Sequence, residues 1–314
     1  MKRFQNILAF VNGPDAVVSL HRAIQLAEDN QAKLTAIDVL RPPSSLFEAF
    51  SGRVVSDGLR EDVVQQREDE LRAIVAERAG SRVRFSTKVF IGTPYIEIIR
   101  QVLRGGHDLV VKTAEGRSLF SQRAFGGTAL NIMRQCPCPV WIVKPEHDRQ
   151  LKRILAAVDV EIDADTPRHA ALNTNILQIA SSMAELEGAE LHIIHAWSVW
   201  AENILKSRIP ADEFHDMVQE QEKATAQALE TLLEPFKIAV SGPQVHLLHG
   251  PPDYVIPQVV HDDQIELLVM GTVCRTGIPG FMIGNTAENI LSGVDCSVLT
   301  LKPDGFQSPI TLTD

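Results

Sequence analysis

A chain of 314 residues with 45% apolar and 22% charged side chains is long enough for two domains of ordinary size and too apolar for a disordered one. Its formal net charge of -10 excludes the basic footprint that sequence-independent binding to DNA or RNA requires. No run approaches the roughly 20 apolar residues of a membrane-spanning helix, and four cysteines are too few for a disulfide framework, so the expectation is a protein of the reducing cytoplasm without membrane insertion.

The first apolar run, Ile7–Val11, is shorter than a secretory hydrophobic region and is ended by Gly13-Pro14, which makes it a strand. Ala16, Leu20, Ala23, Ile24 and Ala27 then fall on one face at helical spacing. A second strand, Leu34–Leu40, leads through a polar loop to a long helix over about 59–79. A third, Val83–Ile91, meets Gly92-Thr93-Pro94, with Pro94 suited to the first helical position. The fourth strand, Leu109–Val111, opens a glycine-containing loop, and a short helix precedes the final strand, Val140–Val143.

The same order then repeats. Strands are expected at Ile154–Val158, Leu191–Trp197, Val245–His249, Leu267–Met270 and Val298–Leu301. Leu172, Ile176, Ile179, Met183 and Leu186 mark the apolar face of the first helix of this half, a long helix covers about 212–234, and Pro252 repeats Pro94. Residues 108–145 align without gaps to residues 266–303 at an offset of 158, and Gly92-Thr93-Pro94 falls on Gly250-Pro251-Pro252 at that same offset. Near the front of each half, residues 6–12 match 153–159 at an offset of 147, so the second half carries a net insertion of eleven residues. One register held over 38 residues establishes a duplication. Strands alternating with helices imply α/β domains with parallel sheets covered on both faces. The expected boundaries are 1–145 and 151–305, a short linker between them and a tail from 306 to 314.

An acidic residue after the first strand, Gly-x-Pro after the third and a glycine loop after the fourth together resemble the universal stress protein family, twice over nearly the whole chain. The resemblance implies two tandem five-stranded parallel sheets of the adenine-nucleotide alpha-hydrolase-like type, strand order 3-2-1-4-5. It also implies a stress-response role exerted by binding a small ligand or protein partners without turnover. In the nucleotide-binding branch of the family a Gly-x2-Gly-x9-Gly-Ser/Thr loop cradles phosphates, because glycines let main-chain N–H groups approach an anion at a helix N-terminus. The second copy supplies Gly271, Thr272, then Cys274 in place of the second glycine, Arg275, and later Gly284, Asn285 and Thr286. It keeps Asp159 at the position that in such proteins contacts the adenine or its ribose, and Gly250 at the turn after the third strand. The first copy has Thr113 for the first glycine, Gly116, Gly126 and Gly127, with Asn12 in place of the aspartate and Glu115 inside the loop, where it would repel a phosphate. The alternative function is therefore an ATP-binding or other adenine-nucleotide-binding regulator, or a weak ATPase, acting through the second copy. The same glycines are also what a tight turn or close helix–sheet packing requires. For the first copy packing is the preferred reading, and for the second the two readings stand level.

Two histidine pairs, His192 with His195 and His246 with His249, lie on strands expected to be neighbours, and paired imidazoles can bind zinc. Residues three apart on a strand point to opposite faces, so at most one of each pair shares a face, and hydrogen-bonded histidines near strand ends are the preferred reading. Cys136 and Cys138 read as small buried residues before the last strand. Phe47, Phe50, Trp197, Trp200 and Phe214 follow the second strands and could wall a crevice for an amphipathic ligand, although packing between the copies is preferred. The resemblance also implies an intramolecular pseudo-dimer joined through the final strands, with room for a further homodimer. No P-loop, nucleophile elbow or zinc-protease motif occurs, which favours binding over catalysis.

Overall fold

The computed structural model describes residues 3–13, 15–42, 57–115, 125–147, 150–160, 167–272 and 284–312. They divide into two compact units. The first holds the described residues up to 147 together with the tail from Gln307, and the second holds those from Gln150 to Phe306.

In the first unit β1 (Asn6–Phe10), α1 (Ala16–Asn30), β2 (Lys33–Leu40), α2 (Asp57–Ala79), β3 (Phe85–Ile91), α3 (Pro94–Gly105), β4 (Leu109–Thr113), α4 (Gly127–Gln135) and β5 (Val140–Val143) follow one another. All strand pairs are parallel, in the order β3-β2-β1-β4-β5. Ile7, Leu8 and Ala9 are wholly buried, as a central parallel strand covered on both faces requires. Ala16, Leu20, Ala23, Ile24 and Ala27 form the buried face of α1. α2 offers a thin apolar stripe of Leu71, Val75 and Ala79, and an ion pair supplements it: Arg67 Nε lies 2.7 Å from Oδ2 of the buried Asp38 on β2. In the tail of this unit the carbonyl of Thr311 accepts a hydrogen bond from Arg100 Nε at 3.3 Å.

The second unit repeats the plan with β6 (Arg153–Ala157), α5 (Pro167–Glu187), β7 (Glu190–Trp197), α6 (Glu202–Arg208), α7 (Ala211–Leu233), β8 (Val245–His249), α8 (Pro252–Asp262), β9 (Leu267–Gly271), α9 (Asn285–Gly293) and β10 (Ser297–Leu301). Its strands are also parallel, in the order β8-β7-β6-β9-β10. Each unit therefore has the expected order 3-2-1-4-5, and α3 and α8 begin at Pro94 and Pro252 as expected.

Two local expectations fail. The segment after β7 is not only a loop: it contains α6, entered through Ala201 in the left-handed region (φ 53°) and bridged by Lys206 to Glu202 at 2.8 Å, four residues apart. Leu186, assigned to the inner face of its helix, is 40% exposed. The last turn of α5 instead turns Glu187 inward, where its carboxylate accepts the N–H of Leu151 at 2.9 Å. Among the described residues no helix is long and apolar enough to cross a membrane.

Candidate ligand sites at the carboxyl edges of the two sheets

In each sheet the strand order reverses between the first and fourth strands, and a crevice beyond their carboxyl ends is where open α/β sheets bind ligands. In the second unit these strands are β6 and β9, with Ala157 beside Met270. The chain beyond β6 is held by Asn173 on α5, whose Oδ1 accepts the Asp159 N–H at 3.0 Å and whose Nδ2 donates to the Asp159 carbonyl at 2.8 Å. Asp159 itself is exposed. The loop after β9 is closed at its base, because Gly284 N–H donates to the Thr272 carbonyl at 3.1 Å. Gly284 precedes α9, whose first residues, Asn285 and Thr286, are exposed, and the first-turn N–H groups of a helix have no intrahelical carbonyl to bond. Cys274 and Arg275 lie outside the described residues.

Three other positions of this constellation have structural duties. A Cβ at Gly271 would come within 2.9 Å of Leu172 Cδ2, so the absent side chain lets α5 pack on the sheet. Gly250 has φ 146° and donates its N–H to the Trp197 carbonyl at 2.8 Å, which is a turn requirement. Thr272 is fully buried; its N–H donates to the Leu301 carbonyl at 3.2 Å and its hydroxyl accepts a hydrogen bond from Lys302 Nζ. Both groups are thereby engaged with β10 and the residue that follows it.

The first unit uses the corresponding positions differently. Thr113 accepts the N–H of Ser19 at 3.0 Å and donates to the Asp15 carbonyl at 3.1 Å, tying β4 to α1. Asn12 donates Nδ2 to Asp38 Oδ1 at 2.6 Å. An aspartate at this position would set two carboxylates against each other. Gly126, the residue before α4, has its open side filled: an added Cβ would fall on the carboxylate of Glu115. That carboxylate is held by Lys112, whose Nζ is 3.3 Å from Glu115 Oε1 and donates to the Thr113 carbonyl at 2.8 Å. Burial lowers the Lys112 pKa and Glu115 opposes that shift. The chain thus places its own anion at the head of α4, where a nucleotide-binding copy would receive phosphate. Among the described residues nothing lies within 4 Å of a Cβ placed on Gly127, and Gly116 lies outside them.

The histidine pairs divide as strand geometry requires. His192 and His246 share a face and meet at 3.2 Å, Nδ1 to Nε2, with rings stacked at 16°. His195 is buried on the other face with Nδ1 3.2 Å from the Val158 carbonyl, and His249 meets Glu202 Oε2 at 3.0 Å. Trp197 is buried against the His249 ring, whereas Trp200 is 87% exposed; Phe47 and Phe50 lie outside the described residues. Cys136 and Cys138 are buried free thiols 3.5 Å apart, in keeping with a packing role.

Burial holds His195 below the ordinary histidine pKa, with the hydrogen bond to the Val158 carbonyl opposing the shift. The folded state therefore resists a proton that the unfolded chain accepts. Stability from this group is complete above the unfolded value, about 6.5, and is lost as pH falls from there through the lower folded value. Thermal melts of the intact chain should shift downward between about pH 7.5 and 5.5, with His195 contributing at most about 1.4 kcal/mol per pH unit. His195→Gln should flatten that slope; an unchanged slope would remove His195 as its source.

Comparison with known proteins agrees with this architecture. The profile of the universal stress protein family matches residues 3–144 and again residues 150–302. The chain is 29% identical to universal stress protein E of Escherichia coli K12 over all of its own length and 99% of that protein. It is 24% identical to the universal stress protein E homolog of Haemophilus influenzae, covering 96% of this chain and 98% of that one. Among solved structures, a putative universal stress protein of Pseudomonas aeruginosa superposes with a TM-score of 0.70 at 25% identity, over 97% of this chain and 95% of that one. Two consecutive matches that together span almost every residue, on two units of the same strand order, place the chain in the universal stress protein family.

Proposed function

We propose that the protein acts in the cytoplasmic stress response by binding, without turnover, and that its second unit takes a ligand of the adenine-nucleotide class at the β6/β9 crevice. The observation that carries this reading is the difference between the two copies. In the first, the aspartate is replaced by Asn12, which is engaged with Asp38, and the head of α4 already faces the Glu115 carboxylate. In the second, Asp159 is exposed on a main chain clamped by Asn173, and α9 begins with exposed Asn285 and Thr286. Those residues fit such a ligand: Asp159 would accept hydrogen bonds from the ribose or adenine, and the first turn of α9 would meet the phosphates. The buried free thiols support a reducing compartment.

Equilibrium dialysis of the full chain against ATP tests the assignment. Asp159→Ala removes an acceptor to a polar ligand group, an interaction worth roughly 1.5–3 kcal/mol, so affinity should fall about tenfold or more. Phosphate release should stay at the background of a protein-free control. Binding indifferent to Asp159→Ala would refute the site, and release that persists on repurification and is lost in the same variant would refute the absence of turnover.

A further inference from the structure

We propose that the second unit also carries a divalent transition-metal site, at the amino edge of its sheet, built from His192 Nδ1, His246 Nε2 and Asp263 Oδ2. Three separate elements converge to make it. The parallel register sets His246 beside Ile194, so His192 lies two positions away on the neighbouring strand and on the same face. Asp263 stands immediately after α8 and delivers its carboxylate from the helix layer. The three ligand atoms lie within 4.8 Å of one another.

Their spacing suits a metal. His192 Nδ1 is 3.2 Å from His246 Nε2, and His246 Nε2 is 3.3 Å from Asp263 Oδ2. Tetrahedral coordination with bonds of 2.0–2.1 Å requires ligand atoms about 3.3 Å apart. Hydrogen bonding alone serves the cluster poorly. A neutral imidazole nitrogen offers either one hydrogen or one lone pair, yet His246 Nε2 faces both a ring nitrogen and a carboxylate. A cation held between the three atoms would give each of them a partner for a lone pair.

The surroundings support the same assignment. His192 Nε2 is buried without a hydrogen-bond partner among the described residues and lies 3.7 Å from Glu190 Oε2. Metal-bound imidazoles usually donate their second N–H to a carboxylate, and Glu190 is placed to accept it after a small movement. Arg153 also reaches this edge, with Nε 3.3 Å from Glu190 Oε2 and Nη1 donating to the Asp263 carbonyl at 2.8 Å. The Asp263 side chain is 34% exposed against 11% for His192, so the fourth position opens toward solvent. Two imidazoles and one carboxylate suit zinc, cobalt or nickel better than magnesium or calcium. The first unit, at the matching positions, has Thr35, Lys88 and Gly105, so the expected stoichiometry is one metal per chain.

Titration of the chelator-treated full chain with Co²⁺, followed by its visible absorption, and with Zn²⁺ in competition with a chromophoric chelator, tests the site. One equivalent should bind per chain, with the intense bands of low-coordinate cobalt. His192→Ala, His246→Ala and Asp263→Asn should each weaken binding on the order of 10–100-fold, Glu190→Gln about tenfold, and His249→Ala should leave it unchanged. Asp263→Asn alters a half-exposed helix end and keeps the fold, so this variant decides the matter even if a histidine variant unfolds. No stoichiometric binding at micromolar metal, or full affinity in Asp263→Asn, would overturn the assignment.

Discussion

Arg67→Met is expected to destabilise the first unit by about 3 kcal/mol, because it strands a buried charge. Asp38 is 1% exposed on β2, and its Oδ2 meets Arg67 Nε at 2.7 Å. The arginine side chain is 27% exposed; the hydration it loses on reaching the carboxylate is outweighed by its hydrogen bonds to Asp38 and Glu70. The cost therefore falls on the partner left behind. Asn12 Nδ2 and the Val39 N–H still donate to Asp38 Oδ1, which sets the loss at the lower end of the range for a broken buried pair. The double variant Arg67→Met/Asp38→Asn should recover most of the loss, since no charge then remains in the interior. Urea unfolding of the three proteins by circular dichroism measures this. Equal losses in the single and double variants would show that Arg67 acts through packing on α2 rather than through the charge.

Trp141→Ala should cost the first unit about 3–5 kcal/mol, the range for deleting a fully buried aromatic side chain. Trp141 on β5 is 1% exposed, and the guanidinium of Arg22, itself 2% exposed on α1, stands 5.1 Å from its ring centre. Truncation leaves a cavity and removes the aromatic face from a buried cation. Trp141→Phe should be much milder, about 1.5 kcal/mol or less. The indole Nε1 has no hydrogen-bond partner among the described residues, so phenylalanine loses volume but no hydrogen bond. A phenylalanine variant as unstable as the alanine one would mean that shape at this position, not the aromatic face, governs stability.

Much of the architecture was legible because it rests on local signals. The apolar runs at Ile7–Val11 and 154–158 locate β1 and β6 to within a residue or two, and Pro94 and Pro252 mark the first residues of α3 and α8. The ungapped repeat then carries each reading from one half to the other. α6 leaves no periodic signal in the sequence, because a seven-residue helix held by an ion pair lacks an apolar period. Leu186 belongs to the inner face only if the apolar period continues into the last turn, which instead buries Glu187.

The candidate sites were legible only in outline, since their chemistry depends on direction. Gly271 and Thr272 lie in the recognised motif, but the first is occupied with the packing of Leu172 and the second with Lys302. Glu115 reads from the sequence as a charge in the loop, while its seat against Gly126 depends on where α4 begins in space. Asp263 carried no signal at all. Its meeting with His192 and His246 depends on the register of β7 and β8 and on where α8 ends.

If the second copy binds nucleotide, as proposed, and the side chains of the first close its own crevice, the chain holds a single nucleotide site. Calorimetric titration of the intact protein with ATP should give one site per chain, and Glu115→Ala should leave that number at one, because Asn12 and Thr113 remain engaged in the first copy. Two sites of equal affinity in the unaltered protein, or a single site that survives Asp159→Ala at full strength, would contradict the account.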